Sequence, residues 1–533
     1  MKYVKTDKNR KKGRKNNNKE KEGVYLQKII AILEVSRKQD YIFRSKRLKE
    51  NAKRSAEIAY VTGNDFFESV ADAELYCKEK NYVYAGGGHT VLQFDSKEKA
   101  QEFVKKVTES AMRRFDGLEI FAKLMPYDEN KTPGDNLKQL SKLLEQKKSR
   151  RMETFRYTAL GVEALDAENY MPVIKTDTDI QKTRVADGNI KAPDGWKFPQ
   201  DFGELIYKTY NENENIVDDN FLAVVHIDGN AMGAKVDAIY QKETQSWQKC
   251  CESLQEFSET IQQDFENAFK EMVQEVINQN LSSDILPVRP VILAGDDVCF
   301  VSAGSIGLEC ARIFLEKLSK KQINGENYAA CAGVAIVHRK YPFHLAYELA
   351  EELCSSAKKM GAGLDEKSRV SAIDWHIEFG QLKDNLEEIR KDYMTEDGNR
   401  LELRPLVVVK PVECEVDSVR EYDFFKTMCT VLQKKRGEIA RSKIKEWRNA
   451  LKQGEVETEF FIHDKQISDM LYAGFSAEYR TDEEKAEQYM RILNKEKSLE
   501  KEPFRLCNGT KRSLFFDAIE MMDHEIFFDR KEQ

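Results

Sequence analysis

The sequence lacks the cysteine spacing that zinc modules and disulfide-rich scaffolds use. It has 10 cysteines in 533 residues, and none of them forms a Cys-x-x-Cys pair. Structural zinc needs two ligand pairs at short spacing, and disulfides persist only in an oxidising compartment. We therefore expect neither zinc nor disulfides, and we interpret most of the cysteines as small core residues.

Long apolar runs and an excess of positive charge are also missing. No stretch approaches the roughly 20 apolar residues that a membrane span needs, and the first residues do not resemble a signal peptide. Lys and Arg total 85 against 92 Asp and Glu, which gives a net charge of −7. We therefore expect a cytoplasmic protein without a membrane partner, and we exclude a protein that holds nucleic acid through bulk positive charge.

The exception to this charge balance is the start of the chain. Residues 1–22 are rich in Lys, Arg and Asn and have almost nothing apolar to bury, so they predict a flexible basic arm. Two interpretations of the arm stay open. It is a solvated tail, or it contacts RNA, because mobile cations pair with phosphates.

The hydrophobic pattern predicts an α+β protein with two similar units. Residues 23–128 and 220–405 both follow the order strand, helix, β-hairpin, helix, strand, which indicates an internal duplication. A helical connector (129–219), with a charged helix from Leu137 to Phe155, separates the two units. A C-terminal helical bundle (406–533) follows them.

The second unit places acidic residues at the ends of its predicted strands. Asp228 ends the apolar strand that begins at Phe221, and Asp296 and Asp297 follow Gly295 at the tip of a hairpin. Adjacent carboxylates raise each other's pKa unless a cation lies between them, and a divalent metal is the usual partner. If Asp228 meets this hairpin across the sheet, the three acids form a site for two metal ions.

Small residues beside these acids favour a phosphate ligand. The turn after the first strand opens a helix whose free N–H groups can hold a triphosphate. This turn consists of Gly229, Asn230, Ala231, Met232 and Gly233. Gly295 leaves room for a phosphate or ribose to approach the backbone, and Lys358, at the end of a later helix, can neutralise phosphate charge. Each turn alone is commonplace, and their conjunction favours a catalytic site.

Four stretches, in this order, resemble the large palm-domain subunit of type III CRISPR effector complexes, the Cas-ten family, and more closely its Cmr branch. They run from Gln39 to Leu48, from His226 to Gly233, from Ala294 to Asp297 and from Gly333 to Phe343. The segment from Ala346 to Gly361 is also similar to the phosphate-binding helix of GGDEF-type nucleotide cyclases. The similarity extends from about residue 24 to the end of the chain.

The resemblance implies two ferredoxin-like palm domains, with nucleoside triphosphates bound between them. In that family, ATP is converted to cyclic oligoadenylate second messengers when the complex engages target RNA. The resemblance also implies that Asp228 and Asp296 bind two Mg²⁺ or Mn²⁺ ions, with Asp297 assisting as a ligand or proton acceptor. The implied partners are the other Cmr-type subunits, guide RNA and target RNA.

The first palm is implied to be non-catalytic and to line a second nucleotide site. The residues that carry this expectation form its own hairpin and are Gly86, Gly87, Gly88 and His89. In the second palm, Lys358 is implied to neutralise phosphate, and the turn from Gly229 to Gly233 to accept the triphosphate.

The sequence departs from the family in three places. Ala294 replaces the first glycine of the usual Gly-Gly-Asp-Asp hairpin, and Asn230 stands where Cmr members often have a second acid. Because both acids of the hairpin remain, we expect activity. The chain has only 7 histidines, and its single His-Asp pair, His463-Asp464, lies in the helical tail. We therefore expect no N-terminal HD nuclease domain and no DNA cleavage.

Two other functions stay open from the sequence. A palm enzyme can couple AMP from ATP to another small molecule such as S-adenosylmethionine, and Ala294 or the glycine hairpin of the first palm could reflect such an altered pocket. The chain can instead be a catalytically silent scaffold that organises RNA and neighbouring subunits. We expect His226, close to the acids, to pack within its strand and not to act as a base.

Overall fold

The computed structural model describes residues 27–151, 162, 190–209, 220–244, 246–362, 370–380, 383, 385–434, 440–471, 503–507 and 509–528. The predicted basic arm, residues 1–22, and most of the predicted connector lie outside these residues.

The first palm is a four-stranded antiparallel sheet with helices packed on it. Its elements are β1 (Ile29–Ser36), α1 (Lys38–Ile42), α2 (Leu48–Val61), α3 (Asn64–Val70), α4 (Lys78–Asn81), β2 (Tyr82–Gly86), β3 (His89–Phe94), α5 (Lys97–Arg114) and β4 (Glu119–Pro126). The β1 strand is apolar and buried almost throughout, because it lies between β3 and β4 and is covered on both faces. Ser96 caps α5 by accepting a hydrogen bond from the N–H of Lys99.

One helix of the connector lies in the described residues. This helix, α6 (Pro133–Ser149), has Thr132 as a side-chain cap and proline in its first turn, a combination that starts helices well. The helix begins before Leu137, the predicted first residue. Its last residue is Ser149, followed by Arg150, whereas we predicted that it would end at Phe155. Residues 152–155 lie outside the described part of the chain.

The second palm repeats this plan with a longer sheet. Its elements are β5 (Phe221–Gly229), α7 (Met232–Lys242), α8 (Trp247–Ile277), β6 (Val288–Ala294), β7 (Asp297–Ala303), α9 (Gly307–Ser319), β8 (Gln322–Ile323), β9 (Glu326–Asn327), β10 (Ala330–His338), α10 (Phe343–Ala362), β11 (Ser371–Glu378), α11 (Leu386–Lys391) and β12 (Leu406–Val409). Apolar residues at three- and four-residue steps bury one face of α8 along its length. Ser246 caps this helix by accepting from the N–H of Lys249.

The two sheets have the same strand order. The first is ordered β2-β3-β1-β4, and the second contains β6-β7-β5-β10 in the same arrangement, extended by β11 and β12 beyond β10. All pairs of the common four-stranded part are antiparallel. This is the ferredoxin-like plan, and it confirms the predicted α+β fold with two palm domains.

The described part of the tail consists of helices and one β-hairpin. It contains α12 (Tyr422–Lys434), α13 (Arg441–Gln453), α14 (Glu455–Asp464), β13 (Phe504–Cys507), β14 (Thr510–Ser513) and α15 (Phe516–Met521). The hairpin of β13 and β14 was not expected from the sequence. Strand β12 pairs with β11, so the sheet of the second palm extends past the boundary that we predicted at residue 405. Within the described part, no helix is both long and apolar enough to span a bilayer.

The palms contact each other through equivalent elements. Helix α2 of the first palm packs against β6 of the second, and helix α8 of the second packs against β2 of the first. Because α2 and α8 each connect the first strand of a palm to its hairpin, the interface relates the two halves reciprocally, as in a symmetric dimer. One apolar cluster runs through both palms. The hairpins β2–β3 and β6–β7 are thereby brought to the same interface.

Candidate active site

The predicted acids lie at one end of the second sheet. Asp228, near the end of β5, is directly opposite Asp297, the first residue of β7. Directly opposed residues of antiparallel strands project to the same face. Asp296 lies in the two-residue turn between β6 and β7, where Gly295 has a φ of +69°, a conformation that glycine adopts without strain. The sheet register therefore brings the three acids together.

Lys358 of α10 pairs with the first of these acids. Its Nζ donates to Asp228 Oδ2 at 2.5 Å and to the carbonyl oxygen of Gly229 at 3.3 Å. Burial opposes the charge of this ammonium group, but the hydrogen bond to Asp228 and the attraction of its carboxylate prevail and raise the pKa of Lys358. The predicted cation thus contacts the acid itself at the strand end.

The pKa values of the two hairpin acids are raised. Burial, followed by repulsion from Asp228, raises the pKa of Asp296 to about 6. The same two causes, with Glu351 as a further negative charge, raise the pKa of Asp297 to about 7. Bringing carboxylates together in a partly buried place makes their charged forms costly. A divalent cation bound between them would offset this cost.

These residues fit an oxygen-preferring metal ion. Carboxylate oxygens suit Mg²⁺ and Mn²⁺, and Asp297 Oδ1 is buried without a hydrogen-bond partner although 47% of the side chain is exposed. In the side-chain positions found, however, no group of three or more His, Cys, Asp or Glu side chains among the described residues could hold a metal ion. Asp228 is instead paired with Lys358. The role of the acids as metal ligands stays a prediction.

His226 packs in β5 behind the acids. It is buried, its ring meets that of Tyr347 edge-on with centroids 5.5 Å apart, and its Nδ1 lies 3.6 Å from Asp297 Oδ1. Burial lowers the pKa of His226. The imidazole ring is therefore neutral and packs beside Asp297, in agreement with the packing role that we expected.

A cavity of about 540 Å³ separates the two hairpins. Gly87 and Gly88 of the first palm line one side of it, and Ala294 and Asp297 of the second palm line the other. Lys38, at the start of α1, also lines this cavity and donates to the carbonyl oxygen of Gly87. Two of the four predicted first-palm residues thus reach the acidic hairpin of the second palm across an open space.

The other two predicted residues of the first hairpin have different surroundings. A Cβ atom on Gly86 would lie 3.2 Å from the Oγ of Ser258, so this glycine lets α8 approach. His89 meets the ring of Tyr84 edge-on. Burial, followed by the positive charge of Lys38, lowers the pKa of His89 to about 4, so the ring is neutral at pH 7.

The predicted triphosphate turn lies directly beside the acids. A Cβ atom on Gly229 would be 3.0 Å from the Cβ of Asp296, so only a glycine fits between strand and hairpin. Ala231 has a φ of 58°, and α7 begins at Met232. Gly233 lies in the first turn of α7 with open space where a Cβ would be. The contribution of this turn to nucleotide binding stays a prediction.

Asn230 makes a structural link. Its Nδ2 donates to the carbonyl oxygen of Val370 at 3.1 Å, and its backbone N–H donates to Ala329 at 2.8 Å. The amide therefore ties the turn to the start of β11. Asn230 Oδ1 is buried without a hydrogen-bond partner.

The first palm contains an acid–lysine pair that sequence reasoning missed. Glu34 of β1 is opposite His89 of β3, as Asp228 of β5 is opposite Asp297 of β7. Lys148 of α6 donates to Glu34 Oε1 at 3.2 Å. The sequence did contain a signal for this pair. In both palms, the first apolar strand has a single acid near its end.

These observations define a two-palm protein with acids at the hairpin of its second palm. Residues 221–367 match the family model of Cas10/Cmr2, second palm domain, a stretch that includes every acid and lysine of the second-palm site. A search of curated proteins found no significant match.

Two solved structures show similar folds, and a third gives a weaker match. Csm1 from T. onnurineus is 14% identical, with a TM-score of 0.53 and coverage of 94% of this chain and 70% of that chain. A Csm1–Csm4 cassette in complex with cA4 is 14% identical, with a TM-score of 0.50 and coverage of 93% and 70%. The cassette in complex with cA3 is 16% identical, with a TM-score of 0.41 and coverage of 66% of this chain. In that last match the chain spans only 55% of the matched chain. At these identities the likeness concerns the fold.

Proposed function

We propose that this chain is the large subunit of a type III CRISPR complex, in the Cmr-like branch, and that it joins ATP molecules into cyclic oligoadenylates when target RNA binds. The observation that carries this proposal is the register of Asp228 with Asp297, beside Asp296, because Asp297 also lines the cavity that both palms share. Such a strand end can hold cations and a nucleotide together.

The proposed reaction forms a bond between two bound ATP molecules. The 3′-oxygen of one ribose attacks the α-phosphorus of the other ATP, the bond to the β-phosphate breaks, and pyrophosphate leaves. Mg²⁺ or Mn²⁺, when bound, lowers the pKa of the 3′-hydroxyl and stabilises charge on the α-phosphoryl oxygens. Asp228 and Asp296 would hold these ions, and Asp297 would serve as a further ligand or accept the hydroxyl proton.

The remaining residues of the site would bind and orient the nucleotides. Lys358, already placed at the strand end by Asp228, would balance phosphate charge. The turn from Gly229 to Gly233 would receive one triphosphate at the start of α7. Gly87 and Gly88 leave space for the second nucleotide on the opposite wall of the cavity.

The similar structures support this choice of product and partners. The Csm1–Csm4 cassette, which has the same fold at a TM-score of 0.50, was crystallised with cA4 and with pppApApA. We extend these ligands to the present chain, together with a neighbouring subunit of the Csm4 kind, guide RNA and target RNA. A Cmr-type complex in the cytoplasm is part of the same proposal.

The test is product analysis. The purified complex is incubated with labelled ATP, Mg²⁺ or Mn²⁺ and matching target RNA, and the products are identified by mass spectrometry. We expect cyclic oligoadenylates from the wild type and none from the double variant Asp296→Ala, Asp297→Ala, with RNA binding unchanged. The control is Asp284→Asn, which removes a carboxylate from an exposed ion pair with Lys197. A mixed adduct of AMP would instead indicate the transfer to another small molecule, and no product would indicate a scaffold.

A further inference from the structure

Helix α8 makes a side-chain contact with the backbone of each hairpin at the candidate site. Ser258 and Gln262 are one helical turn apart, so they project from the same side of the helix. Ser258 contacts the hairpin of the first palm, and Gln262 contacts the hairpin of the second. Neither residue was singled out by its sequence.

Gln262 holds the acidic hairpin at two points. Its Oε1 accepts a hydrogen bond from the N–H of Gly295 at 2.6 Å, and its Nε2 donates to the carbonyl oxygen of Leu293 at 3.2 Å. The Nε2 atom also donates to Glu266 at 2.7 Å, which fixes the orientation of the amide. Since Gly295 immediately precedes Asp296, this amide contacts the backbone next to the acids.

Ser258 holds the glycine hairpin. Its Oγ donates to the carbonyl oxygen of Ala85. Gly86 lets the helix approach, because a Cβ there would lie only 3.2 Å from the Oγ of Ser258. One rigid turn of helix thus connects the backbone of β2 to the backbone of the β6–β7 turn. Both contacts oppose a shift of one hairpin relative to the other.

We propose that Gln262 and Ser258 are positioning residues, through which α8 holds the acidic hairpin of the second palm in register with the glycine hairpin of the first. This inference rests on the proposed function, in which the two hairpins face the two reacting nucleotides. In such a reaction, a misplacement of about 1 Å can cost about 100-fold in rate. A side-chain clamp on each hairpin provides that precision.

The first test measures geometry without the reaction. In Gln262→Met, which keeps the length and helix propensity of the side chain, the amide of Gly295 loses its acceptor. We expect its hydrogen exchange to become at least about 10-fold faster, and the same in Gln262→Asn, whose side chain is one methylene shorter. Gln262→Glu keeps an acceptor for Gly295 but loses the donor contacts to Leu293 and Glu266, so its exchange is expected to lie between that of the wild type and that of Gln262→Met.

Gln255→Met is the matched control for this experiment. Gln255 lies on α8 and donates to Glu259 four residues later, as Gln262 does to Glu266, but it contacts neither hairpin in the described part of the chain. Unchanged exchange at Gly295 in both Gln262→Met and Gln262→Asn, or an equal change in Gln255→Met, overturns the proposal.

The second test separates the two contacts by kinetics. Because Gln262 positions the acids, Gln262→Met is expected to lower kcat about 10-fold with little change in KM for ATP. Ser258→Ala, which loosens the wall of the other nucleotide site, is expected mainly to raise KM. If both variants lower kcat and raise KM by equal factors, in proportion to the fall in their melting temperatures, the two residues have only a structural role. If the wild type makes no product, the proposed function fails, and the exchange experiment still decides the positioning role.

Discussion

Lys148 donates a 3.2 Å hydrogen bond to Glu34 in the first palm, at the same place in the fold where Lys358 pairs with Asp228 in the second. The duplicated palms have thus kept one acid–lysine pair each. They differ at the hairpin, where Gly88 and His89 of the first palm take the places of Asp296 and Asp297. Among the described residues, the hairpin of the second palm thus carries two adjacent carboxylates where that of the first palm carries none.

Divalent cations should stabilise the chain through the acids of the second palm. A ligand that binds only the folded state adds about 2.7 kcal/mol at a concentration about 100 times its dissociation constant. We expect Mn²⁺ or Mg²⁺ to raise the urea midpoint of the wild type relative to EDTA, and to have no effect on Asp296→Asn, Asp297→Asn. The variant Asp284→Asn should keep the full gain. A gain that persists in the double variant would place the cation elsewhere.

Lys358 should contribute far more to product formation than Lys148. Removing a positive group that faces developing phosphate charge costs about 100-fold or more in rate, so we expect a loss of this size in Lys358→Met. For Lys148→Met, whose partner Glu34 has no neighbouring acid pair, we expect less than about 10-fold. Lys359→Met changes the exposed neighbouring lysine and is the control. Equal losses in Lys358→Met and Lys359→Met would contradict a specific role for the first.

The contact between the tail and the second palm should depend on a buried ion pair. Arg404 Nη1 lies 2.5 Å from Asp517 Oδ1, and Asp517 Oδ2 accepts from the backbone N–H groups of Leu403 and Arg404. Removing one partner of a buried pair costs about 3–5 kcal/mol, so Asp517→Ala should lower the free energy of unfolding by that amount in urea titrations. Arg113→Ala, which removes an exposed pair with Glu109, should change it by less than about 1 kcal/mol.

Stability should fall on acidification partly because of His89. Burial, followed by the charge of Lys38, lowers its pKa from 6.5 to about 4 in the folded chain. Between these two pH values, the unfolded state therefore binds a proton at His89 that the folded state does not bind. The contribution is fully present above pH 6.5 and is lost as the pH falls to about 4, at a cost of about 3 kcal/mol.

The variant His89→Gln, which cannot take up a proton, reveals this contribution. Between pH 6.5 and 4 it should lose about 3 kcal/mol less than the wild type in chemical unfolding. Measuring the two proteins side by side cancels the titration of all other groups. Parallel pH profiles would show that His89 titrates normally in the folded state.

Sequence reasoning recovered the elements whose signal is local. The duplicated α+β fold could be predicted because its signals lie in consecutive residues. These signals are the apolar runs of β1 and β5, the three- and four-residue periodicity of α8, and the glycine-centred hairpins. The hairpin of β13 and β14 was missed because its strands are short and half exposed. The pairing of β12 with β11 was missed because it joins segments separated by a helix and a loop.

By itself, the sequence determined which residues are candidates for catalysis and nucleotide binding. These are the acids, the glycines beside them and the lysine that follows them in the chain. Only the tertiary structure decided how they are held. The clamp of Gln262 on Gly295 joins residues 33 positions apart, and that of Ser258 on Ala85 joins residues 173 apart. The first contact depends on how α8 packs on the sheet of its own palm, and the second on how one palm packs against the other. A single side-chain amide or hydroxyl has no periodic pattern to reveal its partner. The physical reason is that secondary structure follows from neighbours in the chain, whereas the geometry of the site follows from the strand register within one sheet and from the packing of the two palms.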